Sequence, residues 1–182
     1  FGNRGASGID GIVSSALGVA AASGGRGVAL LGDLAFLHDA GGLALAGEAE
    51  VVFVLVDNDG GGIFEHLPVR AFDPPFTELF ATPHGRELGA LSAAFGVPHD
   101  VVEAAEVGAA IDRALSSGGT RVVEVKTDRA LEVEARAADR ARAVAAAKEA
   151  LVAMRGPVAA MKEAVATDAS GRTSTPRTGV DG

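Results

Sequence analysis

The sequence predicts an α/β fold, a doubly wound and mostly parallel sheet with helices on both faces, and three observations predict it. Gly27-Val28-Ala29-Leu30-Leu31 and Val51-Val52-Phe53-Val54-Leu55-Val56 are apolar runs without alternation. That pattern belongs to strands buried on both faces. Helical stretches precede and separate the runs, as in strand–helix–strand units. Both runs stop at polar turns, Gly32-Asp33 and Asp57-Asn58-Asp59-Gly60-Gly61-Gly62, and ligands of such sheets gather beyond the carboxyl ends of the strands.

The elements follow in order. Phe1–Gly11 is Gly-rich and reads as a loop. Ile12–Ala20 reads as a helix of small residues, and Gly24-Gly25 ends it, glycine being the usual left-handed terminator. His38–Gly47 reads as a second helix between the two apolar strands. The segment Glu65–His84 carries four of the seven prolines and reads as irregular. Glu87–Phe95 and Val107–Leu115 read as helices, and Thr120–Val125 as a third strand. Ala130–Met154 is rich in Ala, Glu, Arg and Lys, all good helix formers. Met154–Lys162 extends it across a break at Gly156-Pro157. These readings place one domain over residues 1–155 and a disordered tail over 156–182; beyond Ala166 the Ser, Thr, Gly, Pro and Asp content cannot bury enough surface to order itself.

Composition narrows the function. Hydrophobic residues make up 48% of the 182, enough for a core. The net charge is −8, and residues up to 130 hold 8 Lys and Arg against 17 Asp and Glu. An acidic globular part without Trp or Tyr offers neither the basic footprint nor the stacking platform of a nucleic-acid binder. Cysteine is absent, so no disulfide framework points to an oxidising compartment, and no apolar run reaches the length of a membrane span. A cytoplasmic location is expected. Phe1 is not an initiator methionine, and the chain is expected to begin inside something longer.

The chemistry concentrates at the two strand ends. Asp33 follows the first buried strand directly, and Asn58 lies just past the second. If those strands are neighbours, both side-chain oxygens reach one crevice, where a hard cation such as Mg²⁺ takes oxygen ligands and shares them with phosphate. Gly60 is placed to add its carbonyl, and Gly61 and Gly62 to turn amide N–H groups toward phosphate oxygens. The competing reading is ordinary turn chemistry, which covers either segment alone. The two segments in succession favour the shared site. The four histidines, His38, His66, His84 and His99, lack metal-ligand spacing and read as solvated or packed.

Gly32-Asp33 followed about 24 residues later by Asn58 resembles the signature of thiamine-diphosphate enzymes, with Leu34 in place of the usual Gly and Asp57 where Asn is common. Asn3-Arg4-Gly5-Ala6-Ser7-Gly8-Ile9-Asp10-Gly11 and Gly60-Gly61-Gly62-Ile63-Phe64 sharpen this. Over the stretch to about Leu151 the chain looks like the MenD family, the 2-succinyl-5-enolpyruvyl-6-hydroxy-3-cyclohexene-1-carboxylate synthases of menaquinone biosynthesis. The resemblance implies thiamine diphosphate and Mg²⁺ as cofactors, with Asp33, Asn58 and the Gly60 carbonyl on the metal. It implies Ile9 beneath the bent cofactor, with Gly32, Leu34, Gly61 and Gly62 also lining its site. Arg4 would hold a substrate carboxylate, and Ile63, Phe64 and Leu67 would line the apolar part of the pocket. Against these stand plainer roles: Arg4 as a solvated charge, Ile9 as the first core residue of its helix, and Ile63, Phe64 and Leu67 as one packed helical face.

The same resemblance implies decarboxylation of 2-oxoglutarate and addition of the succinyl unit to isochorismate. No catalytic residue is expected here, because the activating Glu belongs to an N-terminal pyrimidine-binding domain of the same or a partner subunit. The chain is therefore expected to be a fragment, a split product or a truncated frame of a protein that is a homo-oligomer at full length. A related acetolactate-synthase-type carboligase and a non-catalytic remnant are the alternatives. The apolar surface that faces the missing parts is expected to promote self-association.

Overall fold

A computed structural model describes Gly2 and residues 8–170, with side chains as far as Met154. Among these residues four strands form one parallel sheet: β1 (Arg26–Gly32), β2 (Glu50–Asp57), β3 (His99–Val101) and β4 (Arg121–Lys126), in the order β1-β2-β4-β3. The helices are α1 (Ile12–Ser23), α2 (Asp33–His38), α3 (Leu88–Ala94), α4 (Val107–Ser117) and α5 (Arg129–Ser170). The three-residue β3 is the strand that sequence patterning misses, being too short to show a period.

The unbroken apolar run of β2 follows from its place between β1 and β4. Val51, Phe53 and Leu55 point into a core shared with Val13 and Leu17 of α1, Phe36 of α2 and Leu88 of α3. Val52 and Val54 point the other way, onto Ala110 and Ala114 of α4 beside Val123. A strand with helices on both faces has no solvent side on which to place polar residues. Phe53 is fully buried, its ring edge-on to Phe36 at 6.4 Å.

At β1 the two faces differ. Its register with β2 sets Val28 beside Val52 and Leu30 beside Val54, yet α4 covers only the β2 pair, and Val28 and Leu30 are 53% and 74% exposed. An open groove of about 590 Å³, lined by Ile12, Ala16 and Val19 of α1 and by Val28 and Leu30, runs along this edge.

The predicted helix His38–Gly47 is corrected. Helix α2 starts at Asp33 and stops at His38, and Ala40–Leu45 continues as a 3₁₀ turn. Asp39 breaks the helix because its carboxylate accepts the Ser14 N–H at 2.7 Å and the Ser14 hydroxyl at 3.0 Å. Gly42 lies so close to α1 that a Cβ would sit 2.6 Å from Ser14 Oγ. Tertiary contact with α1 overrides the local helical preference.

The chain forms two compact units, Phe1–Glu134 and Ala135–Gly182. The first ends earlier than residue 155 because every described side chain from Glu134 to Met154 is exposed and adds nothing to a core. Helix α5 continues to Ser170 through Gly156 and Pro157, where the sequence predicts a break; its Ala-rich flanks carry the highest intrinsic helix propensity. Among the described residues no helix is long and apolar enough to cross a membrane.

Candidate functional site

Strands β1 and β2 are adjacent and parallel, with Gly32 opposite Val56. That register places Asp33 beside Asp57 at the carboxyl end of the sheet. Asp33 is the first residue of α2 and Asp57 the last of β2, and both are buried. Asp33 Oδ1 accepts the Leu34 N–H at 2.7 Å, and Oδ2 accepts the Gly60 N–H at 2.7 Å. Burial pushes the Asp33 carboxyl above its ordinary range, and the Asp57 carboxyl beside it pushes the same way. The Gly60 and Leu34 amides and His84 oppose the shift but do not cancel it.

The turn after β2 is built by backbone geometry that few residues can adopt. Asp59 has φ +57° and Gly60 φ +133°. A Cβ on Gly60 would lie 2.1 Å from the Ala81 carbonyl oxygen, which requires glycine there. Gly61, at φ −79° and ψ 55°, forms an inverse γ-turn, with the Gly62 N–H donating to the Gly60 carbonyl at 2.9 Å. The Gly61 N–H donates to Ala81 at 2.7 Å. Both amides are therefore bonded within the chain, and the expected phosphate cradle from Gly61 and Gly62 is not what the turn presents. Tight closure of the turn consumes those donors. The Gly60 carbonyl retains a second lone pair.

Asn58 sits between the turn and the start of α5. Its Nδ2 reaches Glu132 Oε2 at 3.5 Å, and a Cβ on Gly62 would come within 2.3 Å of it. Its Oδ1 is buried and has no hydrogen-bond partner. A buried acceptor left empty costs about 1–3 kcal/mol unless something occupies it. A hard cation suits a buried oxygen of that kind, and the oxygen donors at these strand ends are of the chemistry that Mg²⁺ takes.

His84 completes the cluster, and sequence reasoning missed it together with Asp57. Asp33, Asp57 and His84 place ligand-capable atoms within 4.8 Å of one another. The signal for His84 is faint: it ends the Pro-rich segment after the glycine turn, with no spacing to mark it. Behind Asp57 lies a second buried polar chain. The Ser92 hydroxyl meets His99 Nδ1 at 2.9 Å, and His99 Nε2 meets Glu124 Oε2 at 2.5 Å. Burial pushes the Glu124 carboxyl upward, His99 opposes, and Asp57 adds to the rise.

The remaining predicted residues divide. Gly32 ends β1 and Leu34 is half-buried beside Asp33. Ile9 lies before α1 and is exposed, so it is no core residue of that helix. Gly62–His66 is a 3₁₀ turn and Leu67 lies beyond it, which breaks the expected single helical face. Phe64 packs edge-on against Phe80 at 5.8 Å. Ile63 and Leu67 are exposed, Ile63 to 73%. Arg4 lies outside the described residues.

Residues 4–125 match the family described as "Thiamine pyrophosphate enzyme, C-terminal TPP binding domain". The 2-succinyl-5-enolpyruvyl-6-hydroxy-3-cyclohexene-1-carboxylate synthase of Halobacterium salinarum is 48% identical over 132 residues, 70% of this chain and 22% of that protein. The synthase of the same name from Nocardia farcinica is 47% identical over 148 residues, 77% of this chain and 26% of that protein. The chain spans about a quarter of the length of these curated relatives. Among solved structures, benzoylformate decarboxylase from Polynucleobacter necessarius superposes with a TM-score of 0.56 at 26% identity, covering 64% of this chain and 23% of that one. A thiamine diphosphate-dependent 4-hydroxybenzoylformate decarboxylase from Rhodococcus jostii shares the fold, with a TM-score of 0.54 at 23% identity, covering 63% of this chain and 22% of that one. With strand ends, acid pair and glycine turn assembled as described, the chain belongs to the thiamine pyrophosphate enzymes and carries their C-terminal TPP-binding domain.

Proposed function

We propose that this chain is the Mg²⁺- and diphosphate-binding part of a synthase that decarboxylates 2-oxoglutarate and adds the succinyl unit to isochorismate, the reaction that its resemblance to the MenD family implies. The observation that carries the metal half is the buried, partnerless Asn58 Oδ1 at the strand ends that hold Asp33 and Asp57. In this reading Asp33, Asn58 and the free lone pair of the Gly60 carbonyl would hold Mg²⁺ at the site of the cofactor diphosphate. Thiamine diphosphate, when bound, supplies an electron sink for the electrons released by decarboxylation, while the protein supplies position and electrostatics.

The other roles follow from the resemblance to the family. Ile9, Gly32 and Leu34 flank the cofactor, and Gly61 and Gly62 contribute the backbone shape that lets Asn58 stand over the turn. Exposed Ile63 and Leu67, with Phe64 braced on Phe80, form the apolar side of the substrate pocket, and Arg4 holds a substrate carboxylate through its guanidinium fork. The acid that activates the cofactor comes from a pyrimidine-binding domain of the same or a partner subunit, within a homo-oligomer.

Isothermal titration tests this directly. The chain should bind thiamine diphosphate with Mg²⁺ present and not with EDTA, and Asp33→Ala and Asn58→Ala should each abolish binding. Metal-independent binding, or equal affinity in either variant, refutes the metal assignment. The chain alone should release no carbon dioxide from 2-oxoglutarate; release by the pure chain refutes the assignment of the acid elsewhere.

A further inference from the structure

His84 lies among the candidate ligands, and its hydrogen bonds decide what it can do there. Its loop is latched to the glycine turn: the His84 and Gly85 N–H groups both donate to Asp59 Oδ1, at 3.0 and 2.7 Å. Thr82, at φ +42°, turns the chain so that the ring enters the crevice, where it is largely buried. On the far side of the ring the Arg86 backbone N–H donates to Nδ1 at 2.9 Å. A backbone amide can only donate, so Nδ1 must present its lone pair and the ring proton resides on Nε2.

That proton faces the acids. Nε2 is 3.2 Å from Asp33 Oδ2 and 3.7 Å from Asp57 Oδ1, so Asp33 receives the bond. Oδ2 then accepts from both Gly60 and His84, which fills its two lone-pair directions. Oδ1 accepts only the Leu34 N–H and keeps one direction open. A ring nitrogen that carries a proton cannot ligate a metal ion.

We infer that His84 is a positioning residue and not a metal ligand: an Nε2–H donor that saturates Asp33 Oδ2 and leaves Oδ1 as the oxygen available to a cation. The cation half rests on the function proposed above; the tautomer half does not. The Arg86 amide thus acts at one remove, by choosing which ring nitrogen holds the proton.

Two measurements on the full chain test this. Long-range ¹H–¹⁵N correlation of histidine-labelled protein, with His84 assigned by its loss in His84→Gln, should show the Nε2–H tautomer. A protonated Nδ1 overturns the inference, whatever the chain binds. Titration of Mg²⁺ in the presence of thiamine diphosphate should show about 10–100-fold weaker uptake in His84→Ala, the usual cost of losing a group that orients a metal ligand. His84→Gln, whose amide N–H can replace Nε2–H, should stay within a few-fold of wild type. Wild-type uptake in His84→Ala, or a Gln variant as weak as the Ala variant, overturns the donor role. If wild-type protein takes up no Mg²⁺ with thiamine diphosphate, the proposed function falls, and the tautomer spectrum alone decides His84.

Discussion

Alanine at position 60 would place a methyl carbon 2.1 Å from the Ala81 carbonyl oxygen and 2.7 Å from the Arg129 guanidinium, at a φ of +133° that side-chain-bearing residues rarely adopt. The backbone conformation alone costs about 1–3 kcal/mol. Relief of the overlap needs about 1 Å of movement, and Ala81 O is also the acceptor of the Gly61 N–H. Breaking that bond, or the neighbouring one from Gly60 to Asp33, leaves a buried group unsatisfied and adds about 1–3 kcal/mol. The expected destabilisation of Gly60→Ala is therefore about 4 kcal/mol. With a urea m-value of about 2 kcal/mol per molar, the midpoint drops by about 2 M. The chain has no Trp or Tyr, so far-ultraviolet circular dichroism is the suitable probe. Gly18→Ala serves as control: Gly18 is an exposed interior position of α1 with nothing within 4 Å of a Cβ, and alanine there should stabilise by about 0.5–1 kcal/mol. A midpoint loss below about 0.5 M for Gly60→Ala would refute the described turn.

Two further outcomes are expected. Because burial raises the folded-state affinity of Glu124 for its proton, its contribution to stability is fully present below the unfolded value and is lost as pH rises through the folded one. Wild-type protein in EDTA should therefore lose stability relative to Glu124→Gln as pH rises above the ordinary glutamate range. A pH-independent difference in urea midpoints, or one of opposite sign, contradicts this. The uncovered Val28 and Leu30 beside α4 should make the isolated chain self-associate; Leu30→Lys should shift size-exclusion elution toward the monomer, and identical profiles would place the sticky surface elsewhere.

The sequence by itself determined the fold class and singled out the strand ends as the candidate site, and the reason is periodicity. Runs such as Val51–Val56 carry no alternation because both faces of β2 are covered, so burial on two sides is written directly into side-chain type. The polar turns after β1 and β2 mark the candidate ligand end for the same reason, since they are what interrupts the apolar pattern there. Local signals failed where a distant segment set the outcome. Asp39 ends α2 because Ser14 of α1 takes its carboxylate. The Gly61 and Gly62 amides turn inward because Ala81, about twenty residues on, supplies one acceptor and the closed turn another. His84 joins Asp33 across 51 residues only through the latch on Asp59 and the amide of Arg86. Which oxygen, amide or ring nitrogen remains free is a property of hydrogen bonds between remote segments, and only the tertiary structure decides it, because a donor's direction depends on the backbone that carries it and not on the residues beside it in sequence.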